Sequence, residues 1–395
     1  MTEKLKITPG LNIPPHLQGQ VEAKLAYVDE GIAASAISPD GDRIEISLHG
    51  KLDNNARLKL EEKVQRVVQE MAKGAIQPKV EILEDHMDRP LSYSADPMDE
   101  LLARGEVSEE HTGIFTFGPL MSRLIEIFEG YFLELAAEFG AQPYRFPTLI
   151  SAEKLGRVQY FQSFPHSLTF ATHLREDLDV IADFADHAAY ESAGLNIASD
   201  SFSRIQALLS PAVCYHLYFA LADKALPGNQ LAATAVGNCF RYESNNLTTL
   251  ERLWNFTMRE VIFVGSADYV LENREKARIH MERVLEEIGL AYRVESANDP
   301  FFVGEFRRQA AFQNAFQLKY EIRALLPFKE DTLAVGSYNY HQDFFGRNLD
   351  ITLEDGSAAH TGCVAFGLER IAFAFLAQFG LDPKNWPQAI REAYG

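Results

Sequence analysis

The stretch from Asn238 to Gly265, NCFRYESNNLTTLERLWNFTMREVIFVG, restricts the architecture more than any other part of the chain. Its two ends alternate β-branched and aromatic residues, and the Ser244-Asn245-Asn246 cluster between them supplies turn chemistry, so it predicts two β-strands joined by a polar loop. Residues two apart on a strand share a face. That periodicity puts Arg241 and Glu243 on one side of the first strand, and Phe256, Met258 and Glu260 on one side of the second. Charges in such apolar strands are costly to bury unless they are paired or offered to a ligand. Two readings fit at this point: an internal Arg-Glu ion pair of a large sheet, or groups held for a bound molecule.

Size and charge narrow the classes. A chain of 395 residues exceeds one ordinary core, and 47% hydrophobic content is enough to fill two. There is no apolar run of the length a membrane span needs and no basic-then-apolar leader, which predicts a soluble, cytoplasmic protein with no membrane partner. Three cysteines, odd in number and far apart, argue against a disulfide scaffold and for free thiols or metal ligands. A formal net charge of -19 opposes a long nucleic-acid footprint, because no dense Lys/Arg cluster offsets it.

In chain order, the segment Leu17 to His86 reads as a small α+β module. Ala26 to Ile37 and Arg43 to Leu48 are expected strands, Asn54 to Ala72 a charged amphipathic helix, and Val80 to Leu83 a further strand. No catalytic cluster lies there, so a packing, docking or dimer role is expected. Asp85 to Glu110 is polar and carries Pro90 and Pro97, which sets the expected boundary at residue 105 and gives domains 1–105 and 106–395. The second half opens with a helix, Leu120 to Phe139, and a strand, Tyr144 to Phe146, stopped by Pro147. Leu208 to Leu221 sets Cys214 and His216 just after Pro211, and a lone buried cysteine is usually packing. Phe316 to Ile351 should hold three strands, and His360 to Phe379 a strand passing through Gly367 into an amphipathic helix. Arg370 then falls in that helix's first turn, where the helix dipole disfavours a cation by roughly 0.3–1 kcal/mol and a bound polyanion would reverse the sign.

These segments together resemble class II aminoacyl-tRNA synthetases. Phe240-Arg241-Tyr242-Glu243, the loop, and Arg252 to Glu260 resemble motif 2; Gly367-Leu368-Glu369-Arg370 resembles motif 3; the helix and strand ending at Pro147 resemble motif 1. Ser337 to Phe344 sits where the seryl branch has its own signature, and the resemblance covers roughly residues 115 to 390. Cys214, Glu260 and Cys363 match the three zinc ligands of the truncated homologues that charge carrier proteins, as they also do in the seryl-tRNA synthetases of methanogens. The long tRNA-gripping arm of bacterial seryl enzymes is absent, and Tyr160 to Pro165 also resembles the carrier-protein ligases.

The resemblance implies an α+β fold: a class II antiparallel β-sheet flanked by helices, with a small N-terminal α+β domain, dimeric through motif 1. It implies that a small amino acid is activated with ATP as aminoacyl-AMP and passed to the phosphopantetheine thiol of a carrier protein, with tRNA an unlikely partner. Arg241 would hold the α-phosphate and the attacking carboxylate, Arg370 the γ-phosphate, and Arg252 the remaining triphosphate contacts. Phe256 would stack on adenine and Glu243 would accept from its amino group. Zn²⁺ on Cys214, Glu260 and Cys363, with an open fourth position, would take the substrate amine.

One departure stands out. The seryl branch has a Glu for Mg²⁺ just before its signature, where this chain has Ala334, which leaves Glu321, Asp343, or ATP and water to hold that ion. Cys239 reads as a core thiol, with a redox or metal role still open. Two other functions remain: a methanogen-type seryl-tRNA synthetase, and a non-catalytic synthetase-like amino acid sensor.

Overall fold

A computed structural model describes residues 3–73, 80–191, 194–247, 249–299 and 318–395. The N-terminal module contains strand β1 (Glu3–Ile7), helix α1 (Pro15–Leu25), strands β2 (Ile32–Ile37) and β3 (Ile44–Leu48), and helix α2 (Asn54–Ala72). The strands form an antiparallel sheet in the order β1-β3-β2. Ile44, Ile46 and Leu48 alternate inward from β3 and meet Leu60, Val64, Val68 and Met71 of α2 in one core. Asp53 caps α2 by accepting the Ala56 N–H at 2.8 Å.

Two expectations for this region are corrected. Ala26 to Gly31 is not strand: the chain leaves α1 through a turn in which Tyr27 and Val28 N–H bond back to Lys24 and Leu25, and extended pairing begins only at Ile32. Helix α1 itself was not foreseen; a proline in its first turn suits a helix start, and Leu17, Val21 and Leu25 bury one face. The strand expected at Val80 to Leu83 lies at Ile82–Asp85, here β4. It pairs with none of the module's strands and forms one edge of the large sheet.

After a hairpin of β5 (Val107–His111) and β6 (Ile114–Phe117), helix α3 (Pro119–Glu138) buries Leu124, Ile127, Phe128, Phe132 and Leu135, the periodic positions of the sequence. The strand expected at Tyr144 to Phe146 is displaced to β7 (Gln142–Pro143), which pairs in parallel with a neighbour for two residues only. The chain then leaves the sheet, and the rings of Tyr144 and Phe146 pack on a small cluster with Val213, Cys239 and Met258.

Six long strands follow: β8 (Leu231–Phe240), β9 (Asn255–Gly265), β10 (Tyr292–Ser296), β11 (Lys319–Leu326), β12 (Asp331–Gln342) and β13 (His360–Gly367). The eight-stranded sheet runs β4-β10-β11-β12-β13-β9-β8-β7, antiparallel at every pair except β8 with β7. Between β9 and β10 lies helix α4 (Ala267–Ile288), and β13 runs directly into helix α5 (Leu368–Phe379). Both pack with α3 on the sheet, where Phe132 stacks on Phe366 of β13 with ring centroids 3.7 Å apart. The stretch expected to hold two strands from Ala334 onward holds most of β12 and, at its end, the start of a two-residue strand, Ile351–Thr352; between them Phe344–Leu349 is helical, with Asp343 and Arg347 paired at 2.6 Å one turn apart. Phe316 and Gln317, at the start of that expected segment, lie outside the described residues. Among the described residues no helix is long and apolar enough to cross a membrane.

Candidate active site

The β8–β9 pairing fixes the site. Ala235 faces Glu260, Gly237 faces Met258 and Cys239 faces Phe256, so these side chains share one face of the sheet. On the other flank of β9, Ile262 faces Cys363 and Glu260 faces Ala365 of β13, which brings Cys363 diagonally beside Glu260. On the opposite face of β13, Gly362 lets α4 and β12 pack close, because an added Cβ would lie 2.7 Å from the Asn339 carbonyl oxygen and 2.6 Å from Val270 Cγ1. The third member, Cys214, opens a short helix, Cys214–Leu221, that follows the turn at Pro211.

The Sγ atoms of Cys214 and Cys363 and a carboxylate oxygen of Glu260 lie within 4.8 Å of one another, and all three residues are buried. Glu260 Oε1 accepts the Val213 N–H at 3.1 Å. Its partner Oε2 is buried with no hydrogen-bond partner among the described residues. An orphaned carboxylate oxygen is costly unless a cation or donor meets it. Burial pushes the Glu260 carboxyl up, and the hydrogen bond to Cys363, with burial and Glu260 adding to it, pushes the Cys214 thiol well above its ordinary range. A divalent ion bound there would let all three ionise together, and two sulfurs with one oxygen are a donor set that zinc accepts. Asn339 Nδ2 donates to Ser337 Oγ at 2.9 Å and lies 3.5 Å from Cys363 Sγ, next to that donor set.

Four residues along the same face lies the second half of the site. The guanidinium carbon of Arg241 sits 5.4 Å from the Phe256 ring centroid, and Nε donates to the Pro211 carbonyl at 3.0 Å. Arg370, near the start of α5, donates from Nη1 to the Ala334 carbonyl at 3.3 Å. Arg252 pairs with Glu243 across the loop. Burial alone would raise the Glu243 carboxyl, yet Arg252, Arg370 and Arg241 together hold it below the ordinary carboxylate range. Three guanidiniums therefore act on one carboxylate, in a chain whose overall charge is -19.

The structure corrects the placement of two of these groups. Arg241 and Glu243 do not lie on the first strand, which ends at Phe240. Arg241 N–H still reaches the Trp254 carbonyl at 2.9 Å, but the Tyr242 N–H turns away to Ser167, and Glu243 enters the loop before the Ser244–Asn246 turn. Of the two carboxylates weighed against Ala334, Glu321 acts electrostatically on Arg370, while also pairing with Lys319 at 3.1 Å and Arg323 at 3.0 Å. Asp343 is engaged by Arg347.

Other residues also reach the site, of which only Tyr215 carried no sequence signal. Tyr160 and Tyr215 are buried beside each other with ring centroids 5.5 Å apart, and the Arg241 charge acts on both phenols. His216 stays neutral, its pKa lowered by burial to about 4; Nε2 lies 2.9 Å from Ser210 Oγ and the ring stacks on Phe146. Cys239 is fully buried in the cluster with Val213, Ala235, Met258 and Ala365, away from the triad's donor set.

Residues 206–379 match the tRNA synthetase class II core domain (G, H, P, S and T). The fold agrees: the seryl-tRNA synthetase of M. kandleri, solved in complex with A. aeolicus tRNASec, superimposes with a TM-score of 0.73 over 99% of this chain and 77% of that one, at 21% identity. The second half of the chain is thus a class II synthetase core. Amino acid:acyl-carrier-protein ligase 1 of Bradyrhizobium diazoefficiens is 32% identical over 302 residues, covering 76% of this chain and 90% of the relative. Ligase 2 of the same organism is 35% identical over 252 residues, 64% of this chain and 74% of the relative. The type-2 serine–tRNA ligase of Methanopyrus kandleri is 26% identical over 327 residues, 79% of this chain and 62% of that enzyme. Within the class II synthetases, the chain belongs to the amino acid:acyl-carrier-protein ligase family.

Proposed function

We propose that the protein activates a small amino acid with ATP and transfers it to the phosphopantetheine thiol of a carrier protein. The observation that carries this reading is the shared face of β9, which bears Glu260 of the triad and, four residues away, the Phe256 ring under Arg241. Four strand residues span about 13 Å. An aminoacyl adenylate laid along the strand would have its amine at one end and its base at the other.

In the first step a carboxylate oxygen of the amino acid attacks the α-phosphorus of ATP, and pyrophosphate leaves. Two anions must approach, so positive groups have to line the path. Arg241 neutralises the attacking carboxylate and the α-phosphate, Arg370 takes the terminal phosphate, and Arg252 takes the rest of the triphosphate. Phe256 stacks on the adenine ring and Glu243 accepts from its amino group. Mg²⁺ would accompany the phosphates, held by ATP and water with Glu321 as the candidate protein carboxylate. Cys214, Glu260 and Cys363 would hold Zn²⁺, which supplies an open coordination position for a free amine. In the second step the carrier's thiol sulfur attacks the acyl carbon, the thiol proton is lost and AMP leaves, giving a thioester.

The chain works as a cytoplasmic homodimer joined through α3 and the segment ending at Pro147. The methanogen-type seryl-tRNA synthetase reading has the weaker likeness, 26% against 32% and 35% identity. The test is ATP–pyrophosphate exchange across a panel of amino acids, wild type beside Cys214→Ala, followed by transfer to a phosphopantetheinylated carrier. Exchange with one or two small amino acids, lost in the variant, is expected. Binding of an amino acid with no exchange for any would replace this reading with that of a sensor.

A further inference from the structure

The loop between β8 and β9 is held from outside the catalytic sheet. Three consecutive side chains, Ser244, Asn245 and Asn246, each donate a hydrogen bond to a backbone carbonyl of the N-terminal module. Ser244 Oγ reaches Ala26 at 3.1 Å, Asn246 Nδ2 reaches Ala23 at 3.1 Å, and Asn245 Nδ2 reaches Ile32. In return, Tyr27 Oη donates to the Tyr242 carbonyl at 3.2 Å. The geometry has a clear physical basis. The last carbonyls of a helix have no intrahelical partner, and the Ala23 carbonyl belongs to the last turn of α1. The loop's amide caps it. Ser244 has φ of +51°, a left-handed conformation that a non-glycine residue holds only when its surroundings enforce it.

Asn246 does more than cap. The same Nδ2 also donates to the Glu243 carbonyl at 3.0 Å, so one amide joins the module to the residue that pairs with Arg252. Beside it, Tyr27 packs edge-on against His166 with ring centroids 5.0 Å apart, and Lys24 Nζ lies 3.3 Å from His166 Nε2. The contact is thus continuous from the end of α1 to the nucleotide side of the site.

We propose that the N-terminal module is a built-in clamp on the nucleotide loop, with Asn246 as the positioning residue that ties Ala23 to Glu243 and so presets Glu243 and Arg252 for ATP. This rests on the ATP-binding role proposed for that loop. The clamp fixes three loop side chains, the strained Ser244 among them, before ATP arrives, so ordering them is no longer charged against nucleotide binding.

The test pairs two measurements that need no turnover, hydrogen exchange at the loop amides and calorimetric affinity for MgATP, on Asn246→Ala and Tyr27→Phe. Asp53→Ala, which removes the α2 cap without touching the loop, is the control. Loss of the Tyr27 bond, or of the two made by Asn246, predicts faster loop exchange and MgATP affinity weaker by about three- to tenfold, with the larger effect in Asn246→Ala. The control should lower the melting temperature and leave MgATP affinity as it was. Unchanged loop exchange would overturn the proposal, and so would faster exchange at unaltered affinity, or an equal loss of affinity in Asp53→Ala. Because neither readout depends on adenylate formation, failure of the exchange assay above would not be mistaken for failure of the clamp.

Discussion

Both carboxylate oxygens of Glu369 accept the backbone N–H of Thr257, at 2.8 and 2.9 Å. This one acceptor pair locks the first turn of α5 to the start of β9, and it sets Arg370 beside the strand that carries Phe256. Glu369 is buried, so removing it strands a donor as well as a charge-assisted bond. Glu369→Ala should cost about 1–3 kcal/mol in urea unfolding. It should also raise the KM for ATP more than the KM for the amino acid, because the displaced group is on the nucleotide side.

The triad should hold one zinc ion per chain by elemental analysis of dialysed protein. Cys363→Ser and Glu260→Gln should reduce that content and abolish pyrophosphate exchange, and a chelator should do the same to wild type, with zinc restoring it. Asn339→Ala leaves the three donors in place and removes a neighbour of Cys363 Sγ. It should weaken zinc binding by roughly 10-fold, in the range found for outer contacts of metal ligands.

On the phosphate side, Arg241→Ala should lower kcat/KM for exchange by about 10²–10³, the size of effect expected when a preplaced donor to developing charge is lost. Phe256→Ala should act differently. A stacking platform for a base contributes roughly 1–3 kcal/mol, so its loss should raise the KM for ATP and leave kcat nearly intact. Steady-state exchange at saturating amino acid separates the two patterns.

Stability should depend on pH through His166. Burial, reinforced by the Lys24 charge and opposed by Glu243, lowers its pKa from 6.5 to about 4. The folded protein therefore binds fewer protons at this site than the unfolded chain between those values. Its contribution is fully present above pH 6.5 and is lost as pH falls toward 4. Lys24 follows the same logic at the alkaline end: burial lowers its pKa from 10.5 to about 8, so stability should rise with pH across that interval. Urea midpoints measured from pH 7 to pH 4.5 should fall less steeply in His166→Gln than in wild type.

Ile44 to Leu48 was legible because its period-two alternation survives burial, whereas Asn255 to Gly265, buried without a break from Met258 on, was legible from its β-branched and aromatic content. The alternation says which residues share a face, and for Phe256, Met258 and Glu260 that face is the one observed. It does not say where a strand stops. Arg241 and Glu243 fit the pattern of β8, yet Tyr242 bonds to Ser167, a partner 75 residues upstream that no local pattern encodes. Helix α1 was missed because Gly19 and alternating polar residues blur its apolar stripe. Ser244, Asn245 and Asn246 read correctly as a turn, but the same side chains serve as donors to a module more than 200 residues earlier. Turn residues and capping residues are chemically the same set, and only the tertiary structure tells them apart.

Strand β4 has a practical consequence for anyone dissecting this chain. Its neighbours are stitched to it by side chains as well as by the ladder: Tyr320 donates to Glu81 at 3.0 Å, Tyr292 to Glu84 at 2.8 Å, and Arg278 pairs with Glu84. A fragment starting at residue 106, where composition places the boundary, would strip that strip away and leave β10 with a row of unsatisfied backbone groups open to any passing chain. Fragments meant to stay monodisperse in the tube should therefore begin upstream of Val80.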